Sequence, residues 1–311
     1  MMQMTYAPDL VEEAVLLAER TAPADAARSF RRERNRVYEV VDPESREAGF
    51  RALHLRWFAR LALHRTIEET VNECVEIPHR LAEARVLRAL TRQEESADLL
   101  DRVRPEDTDP RPLLVIRLRP ATLLDRDGQQ TLLRHELMHV ADMLDPAFGY
   151  ERSLPGSDDG PSGDNILRDR YRVLWDATID GRLMRVGKIG GCVREARYRE
   201  FIATFAMLGE RTSDIFAEWF DSVCPTHRAL VEFARSPCCG SGGSSVANSG
   251  RCPLCRFPIA SLDGRPGRLS AHAQAMIRAE HPAWRIELGL CPQCLDLYEA
   301  RYEETVDPSH R

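Results

Sequence analysis

Two histidines and a glutamate near the middle of the chain have the spacing of a metal-binding site with a built-in base. His135 and His139 are four residues apart, and Glu136 directly follows the first histidine, in the pattern H-E-x-x-H. Residues i and i+4 lie on one face of a helix, so both imidazoles can bind one ion. Such an ion activates water, and Glu136 is placed to accept the proton. The pattern predicts a catalytic metal centre. Because the pattern is short, His135 and His139 could instead be ordinary packed or surface histidines.

The stretch that carries this pattern, residues 132 to 144, is predicted to be a helix with one buried face. Its apolar residues recur at helical spacing and form a stripe that would face a core: Leu133, Leu137, Val140 and Leu144. The histidines would lie on the other side of the same helix. A Gly-, Pro- and Ser-rich loop is expected directly after it, over residues 145 to 165.

A catalytic zinc site needs a third protein ligand and an open position for water. Residues 171 to 187 read as a second helix, on which Asp176 and Asp180 are four residues apart and share one face. This arrangement resembles that of the gluzincin zinc peptidases, in which a second helix carries an acidic ligand. The resemblance ranks Asp176 first as the third ligand and implies that Asp180 is the acidic group that orients a ligand histidine. The alternatives are a solvated acidic face or one of three other ligands: Asp180 itself, Glu151 and Asp145.

Four cysteines in the C-terminal part of the chain form two C-x-x-C pairs: Cys252, Cys255, Cys291 and Cys294. Two such pairs predict a structural zinc site of the ribbon type. A proline follows the first cysteine of each pair and suits a tight turn that brings two thiolates to one ion. Cys238 and Cys239 could join a ligand set, but an exposed pair in a flexible loop is favoured.

Composition limits the function classes. The 311 residues carry a net charge of −6, which supplies no general basic field for nucleic acid. Lys188 is the only lysine, so arginine clusters reflect composition and are discounted. No apolar run approaches the ~20 residues of a membrane span. The N-terminus has no basic region before its apolar part, so we expect a cytoplasmic protein without a signal peptide.

The order of these features predicts several regions. A short β-branched run bounded by prolines, PLLVIRLRP at 112 to 120, is the best candidate strand. Helices are expected over 8 to 20, 46 to 76, 80 to 101 and 194 to 221. The predicted regions are an N-terminal helical region (1–103), a metal-binding core (104–235), a Gly/Ser-rich linker or loop (236–250) and a cysteine module (251–311).

A strand, then the H-E-x-x-H helix, then a helix with acidic residues resembles the zincin-type zinc peptidases, and their gluzincin branch in particular. The resemblance covers residues 113 to 183. It implies an α+β, mostly helical protein with a zincin-like core, a short β-sheet and a strand edge that holds substrate beside the metal. His135, His139 and Asp176 correspond to the ligands of that family. Gluzincins carry Glu where this chain has Asp176, so its helices would have to approach more closely.

The resemblance implies a metallopeptidase that uses one catalytic and one structural Zn²⁺, with Glu136 as general base and a peptide or protein as substrate. His227, Tyr150 and Tyr171 are the candidates for stabilising the oxyanion. The alternative is a non-catalytic zinc-binding adaptor or regulator with a vestigial H-E-x-x-H site. A protein partner at the C-terminal module fits either function, while a nucleic-acid or membrane partner is not expected.

Overall fold

A computed structural model describes residues 2–101, 111–156, 160–237, 252–255, 269–282, 284–291, 294–295 and 297–298, with the backbone alone at 160–162 and 272. Helices predominate over one four-stranded sheet, which confirms the mostly helical α+β class. No helix in these ranges has both the length and the apolar composition needed to cross a bilayer. The chain divides into two compact units, Met1–Glu200 with Phe216–Val231, and Phe201–Ile215 with Glu232–Arg311.

The described strands and helices are given in chain order. The strands are β1 Gln3–Tyr6, β2 Glu83–Arg88, β3 Ser96–Leu100 and β4 Leu113–Leu118. The helices are α1 Pro8–Thr21, α2 Ala24–Tyr38, α3 Pro43–Arg60, α4 Arg65–Glu73, α5 Glu76–Arg80, α6 Arg126–Leu144, α7 Gly160–Arg185, α8 Cys192–Thr204, α9 Thr212–Phe220, α10 His227–Arg235 and α11 Ala271–Glu280.

The sheet has the strand order β1-β2-β4-β3. The pairs β1–β2 and β2–β4 are parallel, and β3 pairs antiparallel with β4 from Ser96↔Arg117 to Leu100↔Leu113. β4 confirms the strand predicted from the β-branched run, and its nearly continuous burial fits a strand inside a sheet. β3, not β4, is therefore the edge strand on this side of the sheet.

The helix predicted over residues 80 to 101 is wrong, because this segment forms β2 and β3. The prediction relied on leucines and alanines three residues apart. The buried positions alternate instead, Ala84 with Val86 and Ala97 with Leu99. That two-residue period is the pattern of a strand with one face in a core.

One hydrophobic core joins the N-terminal helices, the sheet and α6. Leu133, Leu137 and Val140 of α6 are buried in it, as the periodicity predicts. β2 and β4 lie on opposite sides of the predicted boundary after residue 103, yet they pair directly. The segment before residue 103 supplies three of the four strands of this sheet as well as α1 to α5.

Local signals fix where α6 begins. The Asp125 side chain accepts a hydrogen bond from the Gly128 N–H at 3.1 Å, which satisfies one of the free donors of the first turn. A side chain at position 128 would clash with that carboxylate, because a Cβ there would lie 2.2 Å from Asp125 Oδ2. The Asp125 side chain would therefore have to shift if a larger residue replaced Gly128.

α7 begins at Gly160, earlier than the predicted 171, so part of the expected loop over 145 to 165 is helical. Its predicted apolar positions are all buried: Val173, Leu174, Ala177, Ile179 and Leu183. The single helix predicted over 194 to 221 is interrupted, because Gly209 has a φ of 57° between α8 and α9.

The second unit has a small apolar cluster of its own around the four cysteines. It contains three of the thiols together with Leu269, Ala273, Ile277, Trp284, Leu290, Leu295 and Tyr298. The predicted linker at 236 to 250 falls almost entirely outside the described residues, as do Cys238 and Cys239.

Candidate metal centre

α6 and α7 bring three donor atoms together in the first unit. His139 Nε2 lies 3.3 Å from His135 Nε2 and 3.1 Å from Asp176 Oδ1, and His135 Nε2 lies 3.5 Å from the same oxygen. Two ligand atoms at about 2.1 Å from one ion, at a tetrahedral angle, are about 3.4 Å apart. The observed triangle has this size, and the three residues form a group that could hold a metal ion.

The burial of these ligands differs from that of exposed acidic clusters. The Asp176 side chain is 8% exposed, and those of His135 and His139 are 13% and 14% exposed. A buried carboxylate needs charge partners. Arg172 Nη1 and Arg197 Nη1 lie 3.1 Å and 3.4 Å from Asp176 Oδ2, which leaves Oδ1 to face the histidines. The solvated acidic face considered from the sequence does not describe these residues.

Asp180 lies on the far side of the His135 ring. Its Oδ1 is 2.7 Å from His135 Nδ1, while its Oδ2 accepts from Arg197 Nε at 2.5 Å. The Nδ1–H bond fixes the tautomer that presents Nε2 toward Asp176 and His139. Asp180 thus contacts the His135 ring nitrogen opposite Nε2 and lies outside the three-residue group that could hold a metal ion.

Proton affinities in the site follow from these contacts. Burial lowers the pKa of His135, but its hydrogen bonds to Asp176 and Asp180 outweigh burial and raise that pKa to about 9. Burial raises the pKa of both aspartates. His135 and His139 more than reverse this at Asp176, and His135 and Arg197 do so at Asp180, so both pKa values are lowered. A metal ion bound at Nε2 would displace the extra proton of His135.

Glu136 lines an open cleft of about 1110 Å³. The cleft is also lined by His135, His139 and Asp176, which leaves room for water and a ligand at this site. Glu136 Oε2 accepts a hydrogen bond from the Ala97 N–H of β3 at 3.3 Å. The edge strand nearest the centre is thus β3, in the segment that the sequence assigned to a helix.

The other alternative ligands take different roles. Asp145 ends α6, where it is exposed and its Oδ1 accepts from the Ala147 N–H at 2.9 Å. Glu151 lines a separate cavity of about 430 Å³ with Ser153 and Leu154. Among the described residues, neither belongs to a group that could hold a metal ion.

An aromatic cluster packs beside His139. The Trp175 ring lies 4.4 Å from the His139 ring in an edge-on arrangement, and its Nε1–H donates to Asp142 Oδ2 at 2.7 Å. Asp142 also forms two contacts with Arg182, at 2.7 Å and 2.6 Å. This clamp joins α6 to α7 one turn beyond the histidines, and it gives Asp142 a structural role.

Tyr171 is the one of the three oxyanion candidates that lines the cleft. Its hydroxyl lies 2.8 Å from His227 Nδ1. Burial raises the pKa of Tyr171 and lowers the pKa of His227. Tyr150 and His227 pack against each other. Tyr150 also packs against Trp175, and His227 packs against Tyr171.

Sequence reasoning missed Arg172, Arg197 and the β3 edge. Arg172 had a local signal, because it precedes Asp176 by four residues on the same helix. Arg197 had none, since α8 carries it to the two aspartates from another part of the chain. Neither Arg172 nor Arg197 was predicted, because arginine clusters were attributed to the composition of the chain.

The four cysteines of the second unit form the other group that could hold a metal ion in the described part of the chain. Cys255 Sγ and Cys291 Sγ are 3.8 Å apart, the separation of about 3.8 Å expected for two thiolates bound to one tetrahedral zinc. The Cys294 N–H donates to Cys291 Sγ at 3.3 Å. Burial raises the pKa of Cys252, but backbone N–H groups outweigh it and lower that pKa to about 7.

The two groups thus differ in donor type and in access, with one facing a cleft and the other packed in an apolar cluster. Known proteins give no further guide to what they do: no family model matches the chain, and no curated protein or solved structure matches it either.

Proposed function

We propose that this protein is a zinc-dependent hydrolase that cleaves peptide bonds in a peptide or protein substrate, as the zincin-like pattern implies. The observation that carries the proposal is the triangle of His135 Nε2, His139 Nε2 and Asp176 Oδ1, with Glu136 lining the same open cleft. Three protein ligands and an accessible fourth position are typical of catalytic zinc, whereas structural sites are closed.

In the proposed reaction, zinc would lower the pKa of a water molecule and polarise the substrate carbonyl. Glu136 accepts the proton of that water and passes it to the leaving amine. Asp180 holds the His135 ring in its productive tautomer, and Arg197 holds both aspartates. Tyr171 is the residue we assign to donate a hydrogen bond to the oxyanion, since it is the one of the three candidates that lines the cleft.

The position of β3 supports a peptide as the substrate. An edge strand offers unpaired backbone groups that an extended chain can pair with. β3 is such an edge, and its Ala97 N–H is directly beside Glu136. A peptide paired with this edge would place its own backbone next to the proposed base and the metal ligands.

We propose a second, structural zinc at the four cysteines, where a closed set of thiolates leaves no position for water. The module would stabilise the second unit and offer a surface to a protein partner. Cytoplasmic location fits reduced thiols and stays a prediction.

Metal content and turnover of a fluorogenic peptide library test the proposal together. Wild type should bind two zinc ions per chain, and His139→Ala and Asp176→Ala should bind one. Glu136→Gln should keep both ions, because it leaves the proposed metal ligands in place. Its kcat should be lower by about 10³-fold or more, because only the base is missing. Glu47→Gln, an exposed change on α3, is the matched control and should behave as wild type.

The outcomes separate the ligand assignment from the reaction. If Asp176→Ala keeps both ions while Glu151→Ala or Asp145→Ala loses one, the third ligand is misassigned. If wild type binds two ions and cleaves no member of the library, the adaptor function is the better reading. Turnover that survives in Glu136→Gln would contradict the role of that residue as base.

A further inference from the structure

The outer edge of β3 is already engaged by side chains. The backbone N–H and C=O groups of Ala97 and Leu99 point away from β4, toward the open edge of the strand. The Ala97 N–H donates to Glu136 Oε2 at 3.3 Å, and the Leu99 N–H donates to Asp98 Oδ1 at 2.7 Å. The Leu99 carbonyl accepts from Arg152 Nη2 at 3.2 Å. An extended peptide can pair along this edge only when these side chains move away.

Arg152 reaches the edge from the segment that follows α6. Its guanidinium also forms a two-contact ion pair with Asp101, with Nη2–Oδ1 and Nη1–Oδ2 both at 2.9 Å. The side chains of Arg152 and Asp101 are 56% and 57% exposed, so water competes for every one of these contacts. A blocking contact of this kind is weak enough for a ligand to displace.

We propose that Arg152 is a gate on the substrate-binding edge of β3, an inference that rests on the peptidase function proposed above. In the free protein Arg152 occupies the Leu99 carbonyl, and Glu136 is held on the Ala97 N–H. An incoming peptide displaces Arg152 and forms hydrogen bonds with the Leu99 backbone. It then accepts the hydrogen bond of the Ala97 N–H in place of Glu136. That second exchange frees Glu136 Oε2 from its hydrogen bond to β3 when substrate lies on the edge.

Steady-state kinetics of Arg152→Ala on a cleaved peptide test the gate. Removing the guanidinium frees the Leu99 carbonyl, so KM should fall about fivefold, which corresponds to about 1 kcal/mol. kcat should stay the same, because the metal ligands and Glu136 are untouched. Asp101→Asn should lower KM by a smaller factor, and the double variant should gain nothing beyond Arg152→Ala, since both changes act on one contact.

Arg51→Ala is the matched control, because it removes an exposed arginine whose only described ion pair is with Glu47 on α3. Its KM should equal that of wild type, and the zinc content of every variant should stay at the wild-type value. An unchanged or raised KM in Arg152→Ala, with turnover present, overturns the gate and leaves the peptidase intact. Absence of turnover in wild type and Arg152→Ala alike contradicts the proposed function, and the gate falls with it.

Discussion

The two groups of residues that could hold a metal ion differ in the part of the structure that surrounds them. The cysteine group lies in an apolar cluster of about ten described residues, so a bound ion would be a major part of that small core. The histidine–aspartate group lies against a core that spans the sheet and several helices, and its own surroundings are charged. A metal ion at the cysteine group would contribute to folding of the module, whereas at the histidine–aspartate group the fold already holds the three donor residues in place without an ion.

The largest expected effect is therefore in the cysteine module. Cys291→Ser removes one of the four thiols that we propose bind zinc, and zinc binding of this kind contributes on the order of 10 kcal/mol to the folding of small domains. Backbone amides between residues 269 and 298 should lose protection from hydrogen exchange, while α6 and α7 keep theirs. The exposed Cys192→Ser is the control and should change nothing. Retained protection in Cys291→Ser would show that the apolar cluster folds without metal.

At the other group, a change beside the ligands should weaken metal binding without unfolding. Asp180→Asn removes the charge that holds the His135 Nδ1–H and leaves Arg197 with a neutral partner. Zinc affinity should fall about 10- to 100-fold, as measured by competition with a chromophoric chelator. Asp169→Asn, an exposed change on the same helix, should have no effect. Equal affinity in both variants would remove Asp180 from the site.

Acid should weaken the scaffold of the first unit through Glu73. Hydrogen bonds from Arg134 and Lys188 lower its pKa to about 2, against an ordinary value of 4.5. A lowered folded-state pKa contributes stability that is present above pH 4.5 and lost as pH falls toward 2. Because the pair is partly exposed, we expect about 1 kcal/mol.

Urea unfolding of Glu73→Gln and wild type at pH 6 and pH 3 measures this contribution. The variant should be less stable at pH 6, and the difference should shrink at pH 3. A difference independent of pH would mean that Glu73 acts through packing instead of charge.

The smallest effect concerns a buried amide in α6. Gln129 is fully buried, and neither of its side-chain amide atoms has a hydrogen-bond partner among the described residues. Gln129→Leu should raise the free energy of unfolding by about 1 kcal/mol, since it removes unpaired polar atoms at similar volume. Gln129→Ala should lower it, because it leaves a cavity. If Leu destabilises as well, the amide is bonded to a trapped water.

The helices were more predictable than the sheet. α1, α6 and the buried face of α7 follow from a 3.6-residue period that each segment carries in full. β2 and β3 are five or six residues long with two buried apolar positions each, too few to separate a period of two from one of 3.6. Pairing with β4 decided their structure, and no local signal announces a partner in the next segment.

The site divides in the same way. The H-E-x-x-H and C-x-x-C spacings determine local geometry, because helical rise or a tight turn sets the distance between residues so close in sequence. Asp176 could be ranked above Asp145 and Glu151 from its helix, but the packing of α7 on α6 brought its Oδ1 within 3.1 Å of His139. Arg197, Arg152 and the β3 edge came from the tertiary structure alone. Distances between separate elements depend on how their buried faces pack, and a sequence pattern within one element does not contain them.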